Sequence, residues 1–532
     1  MAAIVYQKNK LTGVTYVYES SSYWDKEKQQ SRATRRCVGK LDSVTGELIP
    51  NIKVDVDSGS LPKKRGPKPV AVCKRTFYGA TYLLDAIGQT TGLEHDLKRC
   101  FPDTHRQILS LAYYLVLEES NSMSRFPRWA STHQHPYSKD IPSQRMSELF
   151  QSISEEDKQQ LFRLQGKRRI EQEYLAYDTT SVSSYSKTLK QIKYGKNKEH
   201  DPLPQLNLAL LFGEQSRLPV CYRKLPGNIS DVKTMQHLLD DMDFLEMKKV
   251  NLVMDRGFYS EDNINELYKN HHKFLIGAKL SLKLVKPHLE AARTKLTSRS
   301  HYSSKFGLYY DSVMTEWSYI ETKKRSGNTM KDTRRIYLHL YYNDAKASED
   351  RMAFNGMLDR LEYELSSGKR NPEHERQYAK YFIIKETPVR GMMIEPKQEA
   401  MDEAKKNYGY FALLSNGIKE PLEALEIYRS KDLIEKAFGN LKERLNMRRY
   451  YVSSEESLEG KIFVQFIALI YLSYIKKAMS DHDLFKRYTI QELFDELDVI
   501  ERYEQPGRRH SISEITQKQK DLYTCFQIEV PT

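Results

Sequence analysis

Apolar and polar residues alternate through positions 1 to about 50, where Val14, Tyr16 and Tyr18 share one parity. With turn signals at Thr12-Gly13 and Thr45-Gly46, the pattern predicts a small antiparallel sheet. Between 76 and 165 the period changes. Leu83, Leu84, Ile87 and then Ile108, Leu111, Ala112, Leu115 recur at helical spacing, and Ser154 followed by Asp157 marks a further helix start. From about 172 strands dominate: EYLAYD (173–178), LPQLNLALLFG (203–213) and RLPVCYRKL (217–225). Gly227-Asn228 and Ser230-Asp231 then break the chain and cap a helix running to about 246. KVNLVMD (249–255), a helix at 261–270 and KFLIGAK (273–279) complete a mixed α/β sheet. Residues 281–408 interrupt it with strands at 334–342 and 381–386 and an amphipathic helix at 347–367. After GYFALLS (409–415) a long helix begins near Pro421, and the rest is mainly helical with a polar tail.

These changes of pattern divide the chain. We expect a β domain at 1–60, a linker at 61–75 and a helical domain at 76–165. A sheet core follows in two parts, 170–280 and 409–480, around an insertion at 281–408, and a helical tail occupies 481–532. A helical unit at 76–165 reads equally as a helix-turn-helix DNA reader or as plain packing.

Composition narrows the class. With 532 residues and 39% hydrophobic positions, there is ample apolar material for several cores, which excludes a disordered chain. The longest apolar run, Ile462 to Ile475, falls short of the ~20 residues that cross a bilayer, so we expect a buried helix and no membrane partner. The opening MAAIVYQKNK lacks an apolar h-region, and five cysteines without a C-x-x-C pair fit neither a disulfide framework nor a zinc site; both suggest the cytoplasm. The net charge of +13 is modest, so its clustering matters more. LPKKRGPKP (61–69), with Lys63, Lys64 and Arg65, reads as a solvated linker or as a segment lying in a DNA groove. Lys187, Lys190, Lys193, Lys196 and Lys198 read as a solvated loop or a DNA-following stretch.

Three acids could carry chemistry. Asp178 and Asp255 each end an apolar run, which would set both carboxylates at one sheet edge, where open α/β sheets bind ligands. Either alone is equally a turn former or helix cap. Glu435 lies in EIYRSKDLIEKAFGNLKERL (426–445). At ~100° per residue Tyr428, Lys431 and Lys442 fall at about +20°, −40° and −20° from it, a narrow polar face beside an apolar stripe. An ion-paired surface helix would look the same. An oxygen-only cluster of this kind suits Mg²⁺ or Mn²⁺, and two ions can act together at a phosphodiester. His271-His272 has no third ligand at metal spacing and reads as structural.

Tyr428, Lys431, Glu435 and Lys442, with the two aspartates upstream, resemble a known pattern. The chain resembles the DDE transposases of bacterial insertion sequences, over roughly 170–280 and 409–475. One branch of that family carries Tyr, two residues, Arg, three residues, Glu, six residues, Lys; every spacing is kept here, with Lys431 in place of Arg. The resemblance implies an α/β fold with a ribonuclease-H-like mixed sheet core, interrupted by a β-rich insertion domain. Small β and helical DNA-binding domains would precede this core and a helical C-terminus would follow it. It implies Asp178, Asp255 and Glu435 as the metal-binding triad for two Mg²⁺ or Mn²⁺ ions, with Tyr428, Lys431 and Lys442 holding DNA. Arg256, Arg448 and Arg449 extend that basic surface, and Arg444 with them. Some relatives stack a Trp of the insertion on a flipped base; Trp317, the only Trp in the insertion here, reads as that residue or as core. The activity so implied is binding of terminal inverted repeats, cleavage at the ends and joining of the 3′-OH ends to target DNA. A homodimer would act on nucleoid DNA in a bacterial cytoplasm. A nuclease that does not join, and a non-enzymatic DNA-binding regulator, are the alternatives.

Overall fold

The structure is a computed structural model and describes residues 3–26, 28–51, 73–119, 122–168, 173–186, 189–195, 201–247, 249–322, 329–387, 391–447, 449–450, 454–505 and 509–532. Lys63, Lys64, Arg65, Lys187, Lys196, Lys198 and Arg448 lie outside the described residues. The chain forms two units, 1–73 and 74–532.

In the first unit the alternating stretch forms a four-stranded antiparallel meander of Ala3–Lys8, Thr15–Asp25, Gln30–Leu41 and Leu48–Pro50. Gly13 (φ +69°) and Gly46 (φ +70°) take left-handed turn conformations at the two predicted turns. Val17 is the one buried hydrophobic residue among the described residues of this unit.

The second unit opens with Lys74–Phe77, which pairs antiparallel with Glu501–Glu504, so the two ends of this unit share a small sheet. Helices Gly79–Thr90, Leu93–Cys100, His105–Leu117, Ser143–Ser152 and Glu155–Lys167 follow. Ser154 caps the last of these, accepting from Asp157 N at 3.1 Å, where the sequence places a helix start.

The central sheet comprises β1 (Tyr174–Ser184), β2 (Gln205–Gly213), β3 (Pro219–Pro226), β4 (Asn251–Met254), β5 (Lys273–Ala278), β6 (Leu308–Thr322), β7 (Thr329–Tyr342) and β8 (Tyr410–Ser415). Their order is β6-β7-β8-β5-β4-β1-β2-β3. β1 runs parallel to β4 and β4 to β5, while every other neighbouring pair along this order is antiparallel. Short strands Tyr302–Ser303 and Arg449–Tyr450 add to β6 and β1. All nine residues of β2 are buried, which requires cover on both faces. Helix α1 (Asp231–Phe244) covers one, taking the Tyr177 hydroxyl on Thr234 O at 3.3 Å; α2 (Glu261–Lys269) follows β4.

The insertion differs from its expected β-rich form. Its long hairpin, β6 and β7, extends the central sheet through β8. Helices Asp344–Ser366, Glu375–Tyr381 and Gln398–Lys405 and the hairpin Phe382–Thr387/Gly391–Pro396 gather around a separate small core of Phe354, Leu361, Leu365, Tyr378 and Met401. Helix and strand are about equally represented in it.

After β8 the expected long helix is broken. α3 (Pro421–Ser430) stops at Lys431, α4 (Asp432–Gly439) restarts, and Asn440–Arg444 is wound as a π turn. α5 (Glu455–Asp481) then passes through the centre of the unit, with Phe463 against Phe101, Tyr471 against Tyr113 and Phe466 against Phe162. It is long and apolar enough by composition to cross a membrane, with mean hydropathy 1.5, but 83% of that apolar window is buried inside the protein. It is a core helix.

Candidate active site

Asp178 sits in the middle of β1, not at its end as the apolar run implied. Thr179–Ser184 continue the strand because they pair with β2 as far as Ser183↔Gln205; the run of apolar residues stops at Asp178, but the backbone ladder does not. Asp255 does follow its strand directly and caps a 3₁₀ turn, Arg256–Phe258, accepting from Arg256 N at 2.8 Å. The parallel register Tyr177↔Met254 brings the next residues, Asp178 and Asp255, abreast on neighbouring strands, about 4.8 Å apart in backbone spacing.

Helices α3 and α4 bring the remaining residues to this point separately. The Tyr428 hydroxyl, from α3, donates to Asp255 Oδ1 at 2.8 Å. Lys431, at the break, is buried and its Nζ donates to Glu435 Oε1 at 3.0 Å. Burial works to raise the Asp255 pKa, but the charge of Lys431, the Tyr428 hydroxyl and the backbone N–H and charge of Arg256 outweigh it, leaving the carboxyl below its ordinary value. Burial would lower the Lys431 pKa; Asp255, the bond to Glu435 and Asp178 outweigh it and keep the amine above its ordinary value. Burial, then Asp255, push the Tyr428 hydroxyl far up, so it stays a donor.

A single helical wheel therefore fails across this segment. The chain turns at Lys431, and Lys442, half-buried, lies in a π turn that advances less than 100° per residue, so one uniform spacing does not relate the four positions. Tyr428 and Lys431 nonetheless meet the two aspartates, and Glu435 is linked to them through Lys431.

Two positions that complete the site escaped the sequence reading. Gly277 in β5 leaves room for Tyr428: a Cβ there would lie 2.8 Å from the hydroxyl and 3.0 Å from Arg256 N. A glycine inside an apolar strand was the available signal. On the opposite face, Thr179 Oγ1 donates to Asp231 Oδ1 at 2.7 Å, and a Cβ on Gly257 would stand 3.2 Å from Asp231 Oδ2. Asp231 thus ties β1 to the turn that follows Asp255.

Residues 170–471, more than half of the chain, match the family of transposase DDE domains. The chain belongs to that family. No curated protein matches it in sequence. Among solved structures it is similar to piggyBac transposase, in the cryo-EM structure of its synaptic complex with hairpin DNA, at 10% identity over 74% of this chain and 70% of that one. The TM-score is 0.36.

In this transposase the donor set, carboxylate oxygens on adjacent strands with one kept ionised, suits a hard divalent cation in its chemistry. Among the described residues, however, no three acids, cysteines or histidines are gathered closely enough to hold an ion, and Glu435 is engaged by Lys431. Arg256 is exposed beside Asp255. Arg449 is placed by its backbone only, paired with Ser183 at the far end of β1. Trp317 offers no ring to a base: it is 6% exposed, its indole N–H donates to Asn265 Oδ1 at 2.8 Å, and it packs in the main core of the transposase. Arg444 is not on a DNA-facing surface either. It is buried, donating to Glu119 at 3.2 Å, to Val116 O at 3.3 Å and to Gln491 at 3.0 Å. His272 is buried and accepts from Val250 N at 3.2 Å, while Lys190 and Lys193 are exposed.

Proposed function

We propose that this transposase binds the terminal inverted repeats of an insertion sequence, cleaves DNA at the ends and joins the 3′-OH ends to target DNA. Asp178 and Asp255 abreast, with Tyr428 and Lys431 arranged on them, are the observation that supports it. The strand order 3-2-1-4-5 of β3, β2, β1, β4 and β5, with the first three antiparallel and the last two parallel to β1, supports a ribonuclease-H-like core.

Asp178, Asp255 and Glu435 would hold Mg²⁺ or Mn²⁺. Two such ions, when bound, supply the Lewis acidity that activates an attacking hydroxyl and stabilises the leaving oxygen. The chain's own residues prepare that site. Tyr428 fixes one oxygen of Asp255 and leaves the other to a ligand. Lys431 offsets the charge of three carboxylates and holds Glu435 near them. Arg256, exposed at the mouth, adds positive charge where a phosphate would enter. Lys442, Arg448, Arg449 and the Lys63–Arg65 segment would extend the DNA contact. Both ends of the element must meet, so a homodimer would act on DNA in the bacterial cytoplasm.

The purified chain, incubated with Mg²⁺ or Mn²⁺ and DNA carrying the element's own ends, should yield cleaved and joined products, and Asp255→Ala should yield neither. Cleavage without joining would instead make it a nuclease. Binding to the ends without any cleavage would make it a regulator.

A further inference from the structure

Beside α4 lies a cavity of about 330 Å³ that none of the roles above uses. Arg217, Lys436, Lys476 and Lys477 line it, and its described lining contains no acid. It opens on the same face of the sheet as Asp178. Phe212, in its wall, pairs with Ala176, and Leu210 pairs with Asp178. Phe212 and Asp178 therefore project from the same face, two residues apart along the strands, or about 7 Å. Lys436 immediately follows Glu435 on α4. The cavity and the aspartates flank one helix.

The cations are only partly compensated by the protein. Arg217 pairs with Asp481 at 3.2 Å, outside the lining. Lys477 Nζ donates to the backbone oxygen of Gln215 at 3.2 Å, and Lys476 is fastened to the Asn440 side chain, which is a neutral partner. Burial, then the charges of Arg444 and Lys436, hold the Lys476 pKa below its ordinary value, while Glu443 and Glu119 offset this through their charge alone. Like charges brought together in a partly buried pocket repel one another, and an anion between them relieves that repulsion. The wall is not purely polar: Phe485, 49% exposed, presents an aromatic ring beside the lysines. Lysine ammonium groups beside an exposed ring are the combination that takes a nucleotide, phosphate on the cations and base or sugar on the ring.

We propose that this cavity holds a backbone phosphate of the DNA strand that passes over Asp178 and Asp255, a neighbour of the phosphate at which the bond is cut. The assignment rests on the DNA-cleaving activity proposed above. The cavity orients the strand and takes no part in the chemistry.

The test uses the full chain, a fluorescent duplex carrying the element's ends, and Ca²⁺ to prevent cleavage. Lys436→Gln with Lys477→Gln should weaken binding about tenfold and reduce the slope of log Kd against log salt by about 0.7–0.9, the share of the one phosphate the cavity holds. Lys369→Gln, which removes an exposed charge from the insertion, should bind as the wild type does. Should the double variant unfold, Lys436→Gln alone should give about half the change in slope. Unchanged affinity and slope would overturn the assignment. So would a thermal shift with inorganic phosphate or dTMP that the double variant loses while its DNA binding stays intact, which would give the cavity to a free nucleotide. If the wild type itself binds no DNA, the proposed activity fails and this assignment with it.

Discussion

Tyr428 reaches Asp255 only because residue 277 has no side chain. A Cβ there would stand 2.8 Å from the hydroxyl and 3.0 Å from Arg256 N, and the second contact is with backbone that cannot rotate away. Gly277→Ala should therefore displace the hydroxyl and the turn after Asp255 together. A hydrogen bond to a charged acceptor contributes about 1.5–3 kcal/mol, so Tyr428→Phe should slow end cleavage roughly tenfold or more if its role is to aim that carboxylate. The two changes share the hydroxyl contact, so they should not add in full. Gly277→Ala should cost less activity in the Tyr428→Phe background than in the wild type, and a double-mutant cycle on cleavage rates measures the difference. Additive effects would show that Gly277 and Tyr428 act independently. Residues of this kind were half legible in the sequence. The charged and aromatic members of the site announce themselves by type and spacing, whereas Gly277 acts through an absence that only a neighbouring helix makes meaningful.

Elements were read best where their surroundings are uniform. Strands β1 to β5 are largely buried and most begin as apolar runs, so their presence and succession along the chain were legible. β6 was not. Its LYYDSVMTEWSYIET alternates aromatic and polar residues without a clean period, because half of it lies on the sheet and half extends beyond it. The break at Lys431 and the π turn at 440–444 escaped for a different reason: a slip of one residue barely alters a hydrophobic stripe, yet it rotates every polar residue beyond it. Helix contacts elsewhere carry their own test. Asp85 on Gly79–Thr90 accepts from Tyr113 of His105–Leu117 at 2.7 Å, and Tyr113 packs on Tyr471 of α5. Burial raises the Asp85 pKa to about 6; the Tyr113 hydroxyl opposes this and Glu94 adds to it. The folded form then binds a proton more tightly than the unfolded chain, whose carboxyl titrates near 3.9. Stability from this group is full below about pH 4 and is lost as pH rises through about 6. Asp85→Asn, which keeps an acceptor for Tyr113, should gain stability over the wild type as pH rises from 4 to 7, by an amount of order 2 kcal/mol. Denaturant midpoints across that range would show it, and a difference independent of pH would refute it.

Across the second unit, sequence-distant ends depend on each other. Strand Glu501–Glu504 completes a sheet begun at Lys74–Phe77, and a Cβ on Gly79 would meet Leu497 O at 2.1 Å, so helices from the two ends touch backbone to backbone. Tyr523 closes the arrangement: it is fully buried, packs edge-on against Tyr82 and donates its hydroxyl to Gly79 O at 2.9 Å. A helical region at 76–165 and a tail at 481–532 look separate along the chain because nothing in local pattern reports a partner four hundred residues away. Their packing through α5, which shares aromatic contacts with the N-terminal helices, makes them one folding body with the sheet. Removing the Tyr523 ring and its hydrogen bond should then cost about 3–5 kcal/mol, the range for deleting a large buried aromatic. The loss should be felt globally: for Tyr523→Ala, the amides of Gly79–Thr90 and those of α5 should lose hydrogen-exchange protection in parallel. If the N-terminal helices lose protection while α5 keeps it, the ends form a separable unit and the tail serves only to close it.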